Sequence, residues 1–184
     1  MFYTLLLLSC VIFGSCASRA SVRDNRLHAY LTEKSKYILL PPSGIEKALD
    51  MAQYVSASYG GRDYFLNAWV KADETGIEMV LFNELGANMG NLSYRDGAVD
   101  FSSPVFPESL KPEYIVADFQ LCFYNPQLLR RALEACGLIF ETQGSTRLIR
   151  NGKDLIIKIE KTHNEVRLVN YVRGYSYTLE GDFE

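Results

Sequence analysis

Histidine is scarce in this sequence, and the motifs that most often carry catalysis or hold metal ions are missing. Of the 184 residues only two are histidines, His28 and His163, and no His-x-x-x-His or Cys-x-x-Cys spacing occurs. We therefore expect no transition-metal site. A Gly-x-Ser-x-Gly elbow and a phosphate-binding glycine loop are also absent, which argues against the common hydrolase and nucleotide-binding classes. We predict that the protein is not an enzyme and uses no cofactor.

The sequence also has no excess of positive charge. The chain has 19 Lys and Arg against 22 Asp and Glu, for a formal net charge of -3. Because nucleic-acid-binding domains usually carry a basic patch, we expect no nucleic-acid partner. A content of 48% hydrophobic and 22% charged residues is typical of a folded globular chain. The length suits one folded domain.

The first 16 residues contain no charged residue, and residues 2–13 form one apolar run. This run is shorter than the roughly 20 residues that a membrane-spanning helix needs, and it is typical of a secretory signal. Phe13, Gly14, Ser15 and Cys16 follow it and resemble a bacterial lipobox, in which a peptidase cuts before a lipid-modified cysteine. Phe13 replaces the usual Leu, and no basic residue precedes the run. We predict a signal over 1–15 and lipidation of Cys16; an ordinary secretory signal and an uncut anchor are the alternatives.

Residues 16–35 are mostly polar and show no strong periodicity, so we predict a lipidated tether there and a single domain over 36–184. Two or more acyl chains on Cys16 suffice for stable membrane attachment. Ala17 follows the cysteine, and no Asp stands there to retain the protein in an inner membrane. We therefore expect a monomer that is anchored in the outer membrane and faces the periplasm.

Short segments with period-2 alternation of apolar and polar residues dominate the rest of the chain, and they predict nine or ten antiparallel strands. Gly60-Gly61, Asp96-Gly97 and Asn151-Gly152 supply the turn signals between neighbouring strands. The predicted strands cover residues 52–59, 64–71, 77–82, 88–95, 99–101, 138–142, 146–150, 155–161, 166–172 and 175–179.

The alternation is interrupted once, by a predicted pair of helices. Pro112 is suited to the first position of a helix, and Asn125-Pro126 ends that helix and begins another. Cys122 and Cys136 lie on the apolar stripes of the two helices, where a thiol is usually structural. We interpret both as free thiols; a disulfide between them, or a pair of either with His163, remains an alternative.

Four stretches of the body resemble a bacterial lipoprotein family of unknown function. They are residues 37–42 (YILLPP), 81–86 (LFNELG), 111–121 (KPEYIVADFQL) and 171–175 (YVRGY). That family is similar in fold to the periplasmic lipoprotein carrier and the outer-membrane lipoprotein receptor. The resemblance implies a mainly β, α+β fold, namely an incomplete antiparallel β-barrel, or half-barrel, plugged by the helical pair.

The resemblance also implies an apolar interior that accepts acyl chains and a loop that hands them on. An exposed apolar residue in the loop carries the receptor's activity, and Phe82 or Leu85 would hold that place here. Alternation places a set of apolar residues on the inner face, where they line a cavity or fill an ordinary core. The candidate cavity residues are Tyr64, Leu66, Met79, Leu81, Ile157, Tyr175 and Tyr177.

These observations predict a lipoprotein that binds acyl lipid, such as palmitate, or the acyl chains of other lipoproteins, and helps to transfer them at the outer membrane. The alternative is a structural or partner-binding lipoprotein of the cell envelope, with a filled core and no ligand. A hydrolase is disfavoured because the sequence presents no acid pair or Ser–His dyad.

Overall fold

The computed structural model describes residues 26–106 and 110–183. The predicted signal, Cys16 and the first part of the predicted tether lie outside the described residues. The strands are β1 His28–Tyr30, β2 Lys36–Ile38, β3 Leu49–Tyr59, β4 Arg62–Asp73, β5 Gly76–Phe82, β6 Asn88–Arg95, β7 Ala98–Ser102, β8 Ile139–Gln143, β9 Thr146–Asn151, β10 Asp154–Lys161, β11 Glu165–Asn170 and β12 Tyr175–Glu180. The helices are α1 Pro112–Phe123 and α2 Pro126–Ala135.

Ten of these strands form one antiparallel sheet that does not close into a barrel. Their order is β7-β6-β5-β4-β3-β12-β11-β10-β9-β8, so β7 and β8 are its two edges. Each strand pairs with its neighbour in sequence except at the centre, where β3 pairs with β12. The predicted half-barrel with a helical pair is therefore confirmed as a mainly β fold. The short hairpin β1-β2 is a separate sheet.

Turn chemistry explains why the strand boundaries fall close to those predicted from sequence. Asp96 and Gly97 both have positive φ, 52° and 74°, as a two-residue type I′ hairpin requires. The side chain of Asn125 accepts hydrogen bonds from the backbone N–H groups of Gln127 and Leu128, which caps the start of α2. Pro112 occupies the first turn of α1, also as predicted.

The two helices bury different amounts of surface. Every residue of α1 from Val116 to Phe123 is buried, so this helix lies inside the fold. On α2 only Leu129 and Leu133 are fully buried, as expected for an amphipathic helix that packs one face against a sheet. The sheet face on which α1 packs is called the inner face below. Tyr175 and Tyr177 of β12 lie on it, since both contact side chains of α1.

Gln120 of α1 ties the helix to the segment that precedes the sheet. Its Oε1 accepts hydrogen bonds from the Tyr37 hydroxyl (3.1 Å) and from the Leu40 backbone N–H (3.0 Å). Its Nε2 donates to the Leu40 carbonyl over 2.7 Å. Because Gln120 is fully buried, these bonds satisfy an amide that would otherwise be costly to bury. Two of the four stretches that carry the family resemblance therefore meet here.

Part of the segment predicted as a tether belongs to the folded body. Residues 28–30 form β1, and Ala29 and Leu31 are buried in the core. Arg173 of the turn before β12 donates to the Tyr30 carbonyl over 2.8 Å. Within the described residues, no helix is long and apolar enough to cross a membrane.

Candidate functional site

The inner face is buried on one side of the sheet and partly open on β3, β4 and β5. Along β4, the inward residues change from buried Val70 and Ala68 to half-buried Leu66 and then to Tyr64, which is 44% exposed. The same change occurs along β3, from buried Gln53 to half-buried Val55. We call this open apolar area the bay; its members are Val55, Ala57, Tyr64, Leu66 and Leu81.

The structure divides the predicted cavity residues among three environments. Tyr64, Leu66 and Leu81 lie in the bay. Tyr175 and Tyr177 are half-buried beside it, on the strand that pairs with β3, and reach α1. Met79 and Ile157 are part of the buried core. Only Tyr64, Leu66 and Leu81 are open to a ligand without rearrangement of the helices.

The loop between β5 and β6 is held by one asparagine. Asn83 Oδ1 accepts hydrogen bonds from the backbone N–H groups of Leu85 (3.0 Å) and Ala87 (2.9 Å). The Asn83 backbone N–H also donates to the Ala87 carbonyl, and Gly86 takes the positive φ of 77° that closes the turn. These hydrogen bonds therefore give the loop one defined conformation.

Leu85 of this loop is exposed to solvent, whereas Phe82 at its start is partly buried. Leu85 is 93% exposed, the highest value among the described large hydrophobic side chains that are exposed. Phe82 is only half-buried at the end of β5, opposite Asn67 of β4. A single exposed apolar residue is common on protein surfaces, so Leu85 indicates an interaction site only together with other exposed apolar residues. The geometry favours Leu85 over Phe82 as the exposed apolar residue of the loop.

Further exposed apolar side chains lie at the same end of the sheet as the Leu85 loop. Tyr59 ends β3, and its partner Tyr175 begins β12. Tyr171 and Val172 are in the turn that leads to Tyr175, and each is about half exposed. We call Tyr59, Leu85, Tyr171 and Val172 the rim. Of these four, the sequence pointed to Leu85 alone as a site residue, because single exposed apolar residues in turns carry no periodic signal.

A buried carboxyl group lies beside the bay on α1. Asp118 accepts a hydrogen bond from the Tyr175 hydroxyl, and Tyr175 in turn accepts one from Asn170 Nδ2. Burial raises the pKa of Asp118 to about 7, although the Tyr175 hydrogen bond and the Arg173 charge act in the opposite direction. Asp118 is therefore close to half-ionised near neutral pH, and it fixes α1 against β12 at the edge of the bay.

The cysteines show no sign of catalytic activation. Both Cys122 and Cys136 are free, which confirms that interpretation over a disulfide. The Cys122 thiol lies 3.7 Å from the Tyr177 hydroxyl. Burial raises the pKa of Cys122 to about 12, so the thiol stays protonated and is a poor nucleophile.

Two cations lie on the covered side of the inner face, near the end of α1. Arg147 donates to the Leu121 carbonyl (2.8 Å) and to Glu46 Oε2 (2.9 Å). Lys161 Nζ lies 5.3 Å from the centre of the Phe123 ring, and burial lowers the pKa of Lys161 to about 8. Both cations stabilise the negative end of the helix, which accounts for their position.

Two open depressions occur elsewhere on the surface. One, of about 520 Å³, is lined by residues that include Pro42, Thr75 and Arg95. The other, of about 420 Å³, is lined by residues that include Phe101 and Phe106. Neither depression is lined by a bay residue. Within the described ranges, no group of three or more His, Cys, Asp or Glu could hold a metal ion.

Sequence analysis did not single out Gln53, which lies at the buried end of the bay. It is 4% exposed, and its Nε2 has no hydrogen-bond partner among the described residues. The sequence could have placed Gln53 on the inner face, because period-2 alternation puts it on the same face as Val55 and Ala57.

Fold and site together define a mainly β protein with a large, open antiparallel sheet, two helices on its inner face and an uncovered apolar bay. The chain belongs to a family described as "Protein of unknown function (DUF3261)", whose model matches residues 50–181. This range contains the whole ten-stranded sheet except the first residue of β3, together with both helices. No curated protein matches the chain. Membership of a family of unknown function agrees with the resemblance found in the sequence.

Proposed function

We propose that this protein is a membrane-anchored lipoprotein that binds acyl chains, free or attached to other lipoproteins, and helps to transfer them at the outer membrane. The observation that carries the proposal is Leu85, an almost fully exposed leucine on an ordered loop beside an open apolar bay. The resemblance to the outer-membrane lipoprotein receptor adds to it, because an exposed apolar loop residue carries that protein's activity.

The bay has the chemistry that an acyl chain needs. Its members are aliphatic side chains and one tyrosine, and no charged side chain belongs to it. Each methylene that leaves water contributes about 0.8 kcal/mol, so a long chain gains affinity without any polar contact. Tyr64 at the outer end offers an apolar ring and a hydroxyl near solvent, which suits the boundary between chain and headgroup.

The rim is suited to contact with a bilayer. Tyr59 and Tyr171 are the kind of residue that concentrates at membrane–water interfaces. Tyr30 is bonded through its carbonyl to Arg173, in the turn that carries two rim residues. The chain therefore enters the folded body close to the rim, so a lipid anchor at Cys16 would hold this end toward the membrane.

The mechanism is passive and requires no covalent step. An acyl chain lies in the bay, the rim touches the bilayer, and the chain passes between the two. Both the bay and the membrane remove methylene groups from water. The direction of transfer therefore depends on which of the two buries more of the acyl chain.

A substitution at Leu85 tests this function. Leu85→Glu should abolish transfer of a fluorescent fatty acid from the full-length protein to acceptor vesicles, while uptake into the bay stays within about twofold. Ile139→Glu is the matched control, because Ile139 is also an exposed aliphatic residue, 45% exposed, but lies on the edge strand β8. Equal transfer by the two variants, or no fatty-acid uptake by the wild-type protein, would refute the proposal.

One observation favours a second function, that of a structural or partner-binding lipoprotein of the cell envelope. Met79 and Ile157 belong to the buried hydrophobic core, so this part of the inner face is packed rather than open. On this alternative the exposed apolar residues contact a protein partner. Cross-linking from position 85 in intact cells separates the two, since a fixed protein product would favour the partner-binding function over lipid transfer.

A further inference from the structure

The two edges of the ten-stranded sheet are protected to different degrees. At β8, Arg130 of α2 donates a hydrogen bond to the Phe140 carbonyl over 2.7 Å, and its guanidinium lies 5.6 Å from the centre of the Phe140 ring. At β7, no hydrogen bond from another described residue reaches the backbone on the outer side of the strand. Such an edge presents a row of unpaired backbone groups to other chains.

The turn before β7 determines which of its backbone groups point outward. The turn over 96–97 has two residues, so Arg95 and Ala98 exchange hydrogen bonds at its base. Because hydrogen-bonded and non-hydrogen-bonded pairs alternate along an antiparallel ladder, Val99 and Phe101 direct their N–H and C=O groups away from β6. Two donors and two acceptors therefore line the open edge at the spacing of an extended strand.

An apolar groove lies beside these groups, on the side of the sheet that carries α1. Its volume is about 420 Å³, and its apolar lining is Val99, Phe101, Phe106, Leu110 and Pro112. The Ser103 Oγ fixes one wall, because it accepts hydrogen bonds from the backbone N–H groups of Val105 (3.1 Å) and Phe106 (2.9 Å). On a strand added to β7, the residues opposite Val99 and Phe101 would point to the same side as the groove.

Asp100 determines which charge fits the edge. It is exposed on the opposite face of β7, and it forms no ion pair with a described residue. If a second copy of β7 paired antiparallel through the four free groups, Asp100 would lie opposite its own copy, and like charges in that position destabilise a sheet. A strand with Lys or Arg at this place would instead form a cross-strand ion pair.

We propose that the edge of β7 is a docking site for an extended peptide segment of another protein, with an apolar–basic–apolar sequence. The segment adds to the sheet as a further strand, bonded to the main chain of Val99 and Phe101. Its two apolar side chains enter the groove, and its Lys or Arg lies opposite Asp100. Main-chain hydrogen bonds supply affinity and the alternating side chains supply specificity. The groove shares no residue with the bay, so this inference does not depend on the proposed function.

Fluorescence anisotropy of labelled peptides with the full-length protein tests the inference. The first probe is fluorescein-labelled Ser-Thr-Val-Lys-Val-Thr-Ser, and the second has Glu in place of Lys. The third is the Lys peptide with both valines N-methylated, which removes the backbone donors that would face β7. All three peptides are blocked at both ends, so that terminal charges do not contribute.

The charge and the backbone of the peptide should each matter. We expect the wild-type protein to bind the Lys peptide at least about threefold more tightly than the Glu peptide, and Asp100→Lys to reverse this order. N-methylation should weaken binding by about tenfold or more, because two main-chain hydrogen bonds are lost. Asp100 is exposed, so the charge reversal tests the site without disturbing the core.

A proline at the edge tests the main-chain groups of the protein itself. Val99→Pro removes one outward donor and obstructs an incoming strand, and proline is tolerated at such positions of edge strands. It should weaken binding of the Lys peptide by about tenfold. Thr142→Pro, at an outward position of β8, is the matched control and should change binding by less than about twofold. The melting temperature checks that both variants are folded.

Several results would overturn the inference while leaving the proposed function intact. They are no binding of the Lys peptide by the wild-type protein, equal binding of the N-methylated peptide, and an unchanged charge preference in Asp100→Lys. A wild-type dimer in sedimentation experiments that Val99→Pro dissociates would also overturn it, because the edge would then belong to a second copy of the chain.

Discussion

The two sides of the inner face share one sequence pattern and differ in what covers them. On β9, β10 and β11, the inward residues Ile149, Ile157 and Leu168 are buried completely. On β3, β4 and β5, the inward residues near the rim are half-buried or exposed. Alternation alone produces both sides, and the elements packed over the sheet decide which inward residues are core. The comparison shows that an apolar inward residue identifies a face of the sheet but not its role.

The largest expected effect is on stability and separates the two sides directly. Ile157→Ala should lower the free energy of unfolding by about 3–4 kcal/mol, because a fully buried side chain leaves a cavity that the core cannot close. Leu66→Ala, in the bay, should lower it by about 1 kcal/mol, since Leu66 already contacts solvent. Urea denaturation of both variants measures the difference. Equal losses would mean that the bay is part of the core.

The second effect concerns Asp118 of α1, which bonds to Tyr175 of β12 where the two sides of the inner face meet; we call this place the seam. Its pKa in the folded protein is raised from 3.8 to about 7, so the folded state holds a proton that the unfolded state has lost. Stability should therefore fall by about 3–4 kcal/mol as the pH rises from about 4 to about 8, and then level off. Asp118→Asn should remove this part of the pH dependence.

Urea denaturation of the wild type and the Asp118→Asn variant at a series of pH values gives the result as a difference between two curves. Other titrating groups then cancel to a first approximation, since they are the same in both proteins. Parallel curves for the two proteins would contradict the raised pKa of Asp118 and its role at the seam.

The smallest effect concerns the loop that carries Leu85. Asn83→Ala removes the acceptor for two backbone N–H groups and should cost about 1 kcal/mol or less in global stability, because the loop is exposed. Amide hydrogen exchange at Leu85 and Ala87 should become about tenfold faster. Glu84→Ala, on the same loop, is the control and should leave exchange at these amides unchanged. If Asn83→Ala also left it unchanged, the loop would not depend on its asparagine.

Much of the fold could be predicted because local chemistry and tertiary structure agree. Asp96-Gly97 marks its turn, and Asn125 marks the start of α2. The strand β1 was missed because its residues lie in a mostly polar segment, where burial of Ala29 and Leu31 depends on contacts with the rest of the fold. A three-residue strand has no periodicity of its own to detect.

The site was less predictable than the fold. Sequence placed Leu66 and Ile157 in one group, since both alternate inward, and only the packing of other elements over the sheet separates them. It named Phe82 and Leu85 together, because the choice between them depends on the hydrogen bonds of Asn83. It passed over Gln53, since the absence of a hydrogen-bond partner is a property of three-dimensional surroundings.

The pairing of β3 with β12 has a consequence for how the protein reaches this structure. These two strands lie at the centre of the sheet, yet Tyr54 pairs with Glu180, far along the chain. The strands β3–β7 and β8–β12 can each form from local hairpins, but the two meanders join only when the last strand is available. Contacts between distant residues slow folding. During synthesis, an unpaired β3 therefore stays open to contacts with other chains until β12 emerges, which makes the early meander the stage most in need of a chaperone.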